Sequence, residues 1–543
     1  MDFLPQLQLT PFDWVFIALV TLNLHWILAV KLGKSPRMKR LNVGNWGPAI
    51  AIRTTRGLDL IEKLSRPKRF WRATITAGTA LVIVCMVSFF LLLVMTTIAI
   101  IRVPPEPSAY TAPRNVLLIP GLNQFIPIWY GWVALLVTMV VHEFSHGILC
   151  RVEGVRVKSM GVALLIAPIA AFVEPDEEEL FGTEEKEAKA SRSARVRILS
   201  AGVIANFVVA AVALALFFGP VIGAIAPQDR LVVTEVLPGS DAEVAGFEEG
   251  MVLLNVNGHP VESLKDIDSF GESSLELRLL QDGKESDLAL KEELVSGVMI
   301  VQVFEDSPAK TSGMEPSLII SGIDGVFTSD WAEFKSYMET TKDGQEITIG
   351  TNRGSYDVKL AENPDGSGTG FIGVGFSGIS VNAVYIDGVT FQEFPASSFL
   401  LLLDEIPHAG VGGLITLMGL PFSGIPGFTE MGFPGFVGRI TQFFEPVGWA
   451  KSLGDKAFWI ANMLFWIGLI NLYAGLFNCL PAVPLDGGHI FRDLLHIGFL
   501  KAFHSEERAE KVTNTLVKVM AWLIFSSLVF MIAAPYLAHG FGG

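Results

Sequence analysis

The apolar residues of this chain fall into blocks of membrane-spanning length, separated by polar stretches of very different character. Six blocks stand out, at about 12–30, 77–101, 130–150, 196–218, 457–479 and 514–537. Each is close to the roughly 20 residues an α-helix needs to cross a hydrocarbon core. The first block lacks a basic leader and a small-residue cleavage site, so it reads as a retained span. Between 222 and 455 the pattern changes to short alternating runs punctuated by Gly and Pro, which predicts strands and turns. The expected fold class is a polytopic α-helical membrane protein of about six spans with an inserted α+β region.

Composition agrees with that division. Half of the residues are hydrophobic and the mean hydropathy is +0.47. The three cysteines, Cys85, Cys150 and Cys479, lie in or beside expected spans, so no disulfide framework holds the insertion. The net charge of −15 is unevenly spread: from Lys31 to Arg72 there are twelve Lys/Arg against only Asp59 and Glu62. By the positive-inside rule that first loop is cytoplasmic and the amino terminus outside. Six spans then put 102–129 and 222–455 outside, with 151–195 and 480–513 inside. The strongly acidic insertion argues against nucleic acid or anionic lipid as its partner.

Within the insertion, VVTEVLPGSDAEVAGFEEGMVLLNVNGHPV is answered by MIVQVFEDSPAKTSGMEPSLIISGIDGVF. Each copy offers a strand, a serine turn, a short Ala-rich piece, a second strand and a glycine turn. This alternation resembles tandem PDZ domains, which capture extended chain ends by adding a strand to a sheet edge. The expected organisation is 1–128, two spans with the basic loop; 129–222, the first half of a membrane core; 229–293 and 294–377, PDZ-like domains; 378–455, a Gly/Pro/Phe-rich interfacial segment and candidate gate; and 456–543, the second half of the core. In the interfacial segment the apolar run 398–419 is interrupted by Asp404, Glu405, Pro407 and His408. Reading it as a seventh span would reverse everything downstream.

The chemistry-bearing motif is HEFSH, residues 142–146, at the end of the sixteen uncharged residues IPIWYGWVALLVTMVV. On a helix His142 and His146 are one turn apart on one face and can reach a single metal ion, with Glu143 beside them as a general base. Such groups are costly in lipid unless something pairs with them. A catalytic zinc site expects a third protein ligand. NLYAGLFNCLPAVPLDGGHIF, residues 471–491, offers Asp486 ahead of a Gly487-Gly488 turn. The apolar loop after HEFSH, broken by Gly161, Pro168 and Pro175, predicts a β-hairpin or re-entrant element over 159–173. In the next span, SAGVIANFVVA, Gly202 and Ala205 permit close helix approach and Asn206 faces the bundle interior.

HEFSH in one span, GVIAN in the next, NCLPAVPLDGG in a late span and a PDZ-like insertion between them resemble the site-2 protease family of intramembrane zinc metalloproteases. The resemblance covers about 130–220, 457–495 and the insertion. It implies one zinc ion held by His142, His146 and Asp486, with Glu143 as the general base. It implies that Asn206 hydrogen-bonds the oxyanion or the unwound substrate, and that Asn478 is a further substrate-binding candidate. The substrates implied are membrane-anchored proteins cut within a transmembrane helix, with the PDZ-like pair filtering them. The alternative is a catalytically inactive membrane-anchored PDZ scaffold; intact HEFSH and LDGG argue against it. A transporter with an intramembrane metal would expect paired carboxylates or repeated spans, and neither is found. Iron or cobalt suits the same ligands. His259 reads as a turn residue, His489 as an edge histidine, Asn471 as structural and Glu174 as part of a solvated acidic face.

Overall fold

The apolar blocks form helices, because in lipid a chain must satisfy its backbone hydrogen bonds internally. The computed structural model describes residues 11–540 apart from short stretches at 109–110, 117–118, 166–167, 183–187, 262, 268–273, 282–283, 292–293, 365, 377–381, 423, 426–428 and 434. The chain divides into two units, residues 1–215 with 463–543, and residues 216–462.

The first unit is built on helices α1 (Pro11–Lys34), α2 (Lys68–Arg102), α3 (Ile128–Glu153), α4 (Arg192–Leu216), α5 (Lys456–Asn478), α6 (Asp486–Phe503) and α7 (Glu506–His539). Among the described residues, five are long and apolar enough to cross a membrane: α2, α3, α4 with its continuation to Ala224, α5 and α7. These carry five of the six expected spans; the first expected span lies within α1. Ion pairs tie the helices together. Glu153, at the end of α3, accepts hydrogen bonds from Arg72 of α2 and Arg197 of α4. Asp493 of α6 is wholly buried and accepts from Arg195 Nε and Nη2 at 2.9 Å each.

Four strands complete this unit: β1 (Val43–Trp46), β2 (Ala49–Thr54), β3 (Val157–Leu164) and β4 (Pro168–Pro175), an antiparallel sheet in that order. β3 and β4 form a hairpin over the segment expected to be hairpin or re-entrant. The charge pattern marks the residues of β1 and β2 only as cytoplasmic loop; in the structure they extend that hairpin. Gly161 makes the join possible, since a Cβ there would stand 2.2 Å from the Ile52 carbonyl oxygen.

The second unit contains β5 (Arg230–Val236), β6 (Val252–Val256), β7 (Ser274–Gln281), β8 (Lys284–Lys291), β9 (Leu294–Met299), β10 (Ile319–Ile323), β11 (Glu346–Thr351), β12 (Gly354–Lys359), β13 (Asn382–Ile386) and β14 (Val389–Phe394). They run in one sheet in the order β8–β7–β6–β5–β14–β13–β9–β10–β11–β12. Two stretches of this unit share local features. Ser240 and Ser307 each cap a short helix by accepting from the third amide beyond, Glu243 and Lys310. Asn257-Gly258 and Asp324-Gly325 make the same left-handed turn after β6 and β10.

The two modules also close alike, and this changes the expected boundaries. Phe304 N donates to Gly373 O in the second copy, and Leu237 N donates to Gly388 O in the first. A Cβ on either glycine would meet a capping serine at 2.2 Å, Ser307 for Gly373 and Ser240 for Gly388. Val384, Ile386, Val389 and Phe391 lie in the core of the first module with Leu231, Leu253 and Leu277. Residues 382–394, expected at the start of an interfacial segment, therefore complete the first module, and the second is inserted within it. Beyond β14 the chain forms a pair of short helices, Ala396–Glu405 and Gly410–Gly419, neither long enough to span.

Candidate metal centre

The spacing of HEFSH does what helix geometry requires. In α3 the Nε2 atoms of His142 and His146 lie 3.1 Å apart. Asp486, the first residue of α6, reaches both with one oxygen: Oδ2 is 3.0 Å from His142 Nε2 and 3.3 Å from His146 Nε2. Among the described residues this is the one group of three such side chains with ligand atoms within 4.8 Å of one another.

Close backbone packing aims the carboxylate. After α5 ends at Asn478 the chain folds back over the first turn of α6. A Cβ on Gly487 would stand 2.4 Å from Cys479 O, and one on Gly488 2.3 Å from the Ala482 carbonyl carbon. Only glycine admits that loop, and it is the loop that brings Asp486 to the histidines. Gly202 of α4 closes the other side: a Cβ there would stand 2.5 Å from His146 Nε2 and 2.7 Å from His142 Cε1.

The protonation pattern fits a cation. His146 Nδ1 lies 2.7 Å from the carbonyl oxygen of Ile198, which can only accept, so Nδ1 carries a proton and in the neutral imidazole Nε2 presents a lone pair. Asp486 Oδ2 is buried and has no hydrogen-bond partner, although two ring nitrogens lie close to it. An acceptor oxygen facing lone pairs is repelled unless a positive charge lies between them. Asn206, fully buried on α4, places its amide 3.1 Å from the opposite nitrogen of His142, Nδ1. Its Oδ1 is without a partner as oriented. Exchanging amide nitrogen and oxygen lets Oδ1 accept from His142 Nδ1, which frees Nε2 as a ligand.

Glu143, next to His142 on α3, accepts at its Oε2 from Val173 N of β4 at 3.1 Å. Of the other residues singled out, Asn471 is buried and donates to Ile467 O within its own helix. No described hydrogen bond joins Asn478 to the histidine pair. His489 packs its ring 6.2 Å from that of Phe181. Glu174 accepts from Ser159 Oγ on the neighbouring strand. His259 lies in a two-residue strand of the second unit.

Residues 130–527 match Peptidase family M50. The chain belongs to this family. Its relatives include the regulator of sigma-E protease RseP of Escherichia coli, 25% identical over 460 residues that cover 73% of this chain and 96% of that protein. The protein of the same name from Salmonella typhimurium is 22% identical over 454 residues, with the same two coverages of 73% and 96%. An uncharacterized protein of Methanocaldococcus jannaschii is 28% identical over 277 residues, 49% of this chain and 68% of its own length. As an M50 peptidase of the site-2 protease type, the chain is a zinc metalloprotease integral to a membrane.

Three contacts of this candidate centre are invisible in the sequence: the Val173 amide on Glu143, the Ile198 carbonyl on His146, and the proximity of Gly202 to both rings. Two are backbone groups, which residue type does not reveal. Gly202 shows in the sequence only as a site of close helix approach, since a glycine does not announce what it approaches.

Proposed function

We propose that the protein hydrolyses peptide bonds within transmembrane segments of membrane-anchored substrates. The carrying observation is the convergence of His142 Nε2, His146 Nε2 and Asp486 Oδ2, with the carboxylate oxygen unpartnered between them. On this reading these three side chains hold the zinc. When bound, zinc polarises the scissile carbonyl and makes a water nucleophilic near neutral pH.

The protein's own groups do the rest. Glu143 takes the proton from the attacking water and returns it to the departing amine. The Val173 amide fixes one of its oxygens, which leaves the other for proton transfer. Ile198 O and Asn206 hold the two imidazoles in ring orientation and tautomer. The family resemblance makes Asn206 a partner for the oxyanion or the substrate; its contact with His142 Nδ1 supports a positioning role instead. Asn478 remains a substrate contact on the family resemblance alone.

The second unit serves as the PDZ-like filter. In its first module β14 is hydrogen-bonded on both edges, to β5 and to β13, so the chain's own strand β13 occupies the edge a captured peptide would use. That supports exclusion by size over peptide capture there. The short helices after it leave Leu401, Val411 and Ile415 more than half exposed, which supports an interfacial or gating role for the segment. The charge distribution supports an active site toward the cytoplasmic side and an extracytoplasmic insertion.

The test uses liposomes carrying a panel of single-span proteins, incubated with wild type or Glu143→Gln. New termini inside the apolar segments, present with wild type and absent with the variant, support the proposal. Cleavage confined to soluble loops refutes it.

A further inference from the structure

A second polar cavity lies in the first unit, between the start of α4, the middle of α6 and the first turns of α7. It encloses about 490 Å³ and is lined by Arg192, Arg195, Arg492, His496, Glu510 and Thr513, among others. None of these belongs to the metal centre. We propose that this cavity binds a phosphate group, supplied by a lipid headgroup or by free phosphate.

The argument rests on unpartnered polar groups. His496 and Thr513 are each 1% exposed. Both ring nitrogens of His496, the hydroxyl of Thr513 and Nε of Arg492 are buried without a hydrogen-bond partner. His496 Nε2 does lie 3.1 Å from Glu506 Oε1, outside hydrogen-bonding geometry. Leaving a buried polar group unsatisfied is costly, so several around one cavity call for a shared occupant.

The sign of that occupant follows from the groups present. Asp493 is already engaged by Arg195 through two bonds and by Arg192 at 3.2 Å. Arg192 is shared further with Glu506 at 3.5 Å. Arg492 has no acidic partner among the described residues. Asp493 and Glu506 are thus taken up by Arg192, Arg195 and His496, and the guanidinium of Arg492 and the hydroxyl of Thr513, lining one space with the carboxylate of Glu510, suit a compact anion with several acceptor oxygens. Phosphate is that anion, and guanidinium matches its geometry.

The position of the cavity bears on its source. The first nine residues of α7, EERAEKVTN, are too polar for hydrocarbon, and α4 begins with three arginines within its first six residues. The cavity therefore lies where spans enter the membrane. There, basic pockets between helices bind anionic headgroups.

The test is thermal unfolding of the full-length, zinc-loaded chain in a phosphate-free detergent. Phosphatidylglycerol, diacylglycerol or inorganic phosphate is added to wild type, Arg492→Gln and Thr513→Val. Before any addition, an unchanged midpoint and zinc content establish that a variant is folded. Phosphatidylglycerol should raise the wild-type midpoint, with apparent affinity about tenfold weaker in Arg492→Gln. Diacylglycerol should do nothing. A shift from inorganic phosphate alone that is equally dependent on Arg492 assigns the site to free phosphate. An equal shift with diacylglycerol, or a shift insensitive to both substitutions, overturns the proposal.

Discussion

Gly202 and His146 stand so close that a single added carbon on the glycine would lie 2.5 Å from the ligand nitrogen Nε2. On the proposed assignment that nitrogen ligates zinc, and its ring is held from the other side by the Ile198 carbonyl, so it cannot give way without leaving the centre. Gly202→Ala should therefore weaken zinc binding by about 10–100-fold, as other disturbances of ligand orientation do. Gly78→Ala is the control, since its Cβ would meet only the flexible end of Ile204 at 2.6 Å. Chelator competition on both variants decides: equal zinc affinity in the two would contradict the packing argument.

Glu143→Gln keeps the side-chain volume and the acceptor for the Val173 amide but removes the proposed base. Turnover should fall by about 10²–10⁴-fold with zinc content unchanged. A variant that loses zinc along with activity would place Glu143 among the ligands.

Asn206 separates two roles. If it orients His142, Asn206→Ala should lower zinc affinity by about 10–100-fold and Asn206→Asp should restore most of it, because a carboxylate still accepts from Nδ1. If it is an oxyanion donor, both variants should lose kcat with zinc affinity intact. Zinc titration beside kinetics distinguishes the two.

Asp493→Asn should destabilise the membrane core by about 3–5 kcal/mol, because it strands Arg195 with a buried uncompensated charge. The measurement is the unfolding midpoint in detergent. A shift within error of wild type would mean that water relieves the guanidinium.

How much of this is legible in the sequence depends on the range of the interaction. HEFSH can be read because its two histidines are joined by one helical turn, and Asp486 because glycines beside a late span mark a turn. The β3–β4 hairpin announces itself through Gly161 and flanking prolines. The strands that join it, β1 and β2, do not: they are short, lie in a basic loop, and acquire their register only from the hairpin's edge, Ile52 facing Val162. The closure of the first module by residues 382–394 is hidden for a related reason. Its partner strand β5 precedes the entire second module, and no local pattern records a pairing across an inserted domain. The sequence places Asn206 in the bundle interior, where the structure has it, but residue type alone does not say that its partner is an imidazole.

The most direct test of the account is zinc content of the detergent-purified protein, wild type beside Asp486→Ala. About one zinc per chain in wild type, largely lost in the variant, is the predicted result and ties α6 to HEFSH through the metal. Zinc retained in full by Asp486→Ala would remove that carboxylate from the ligand set and contradict a centre built on His142, His146 and Asp486.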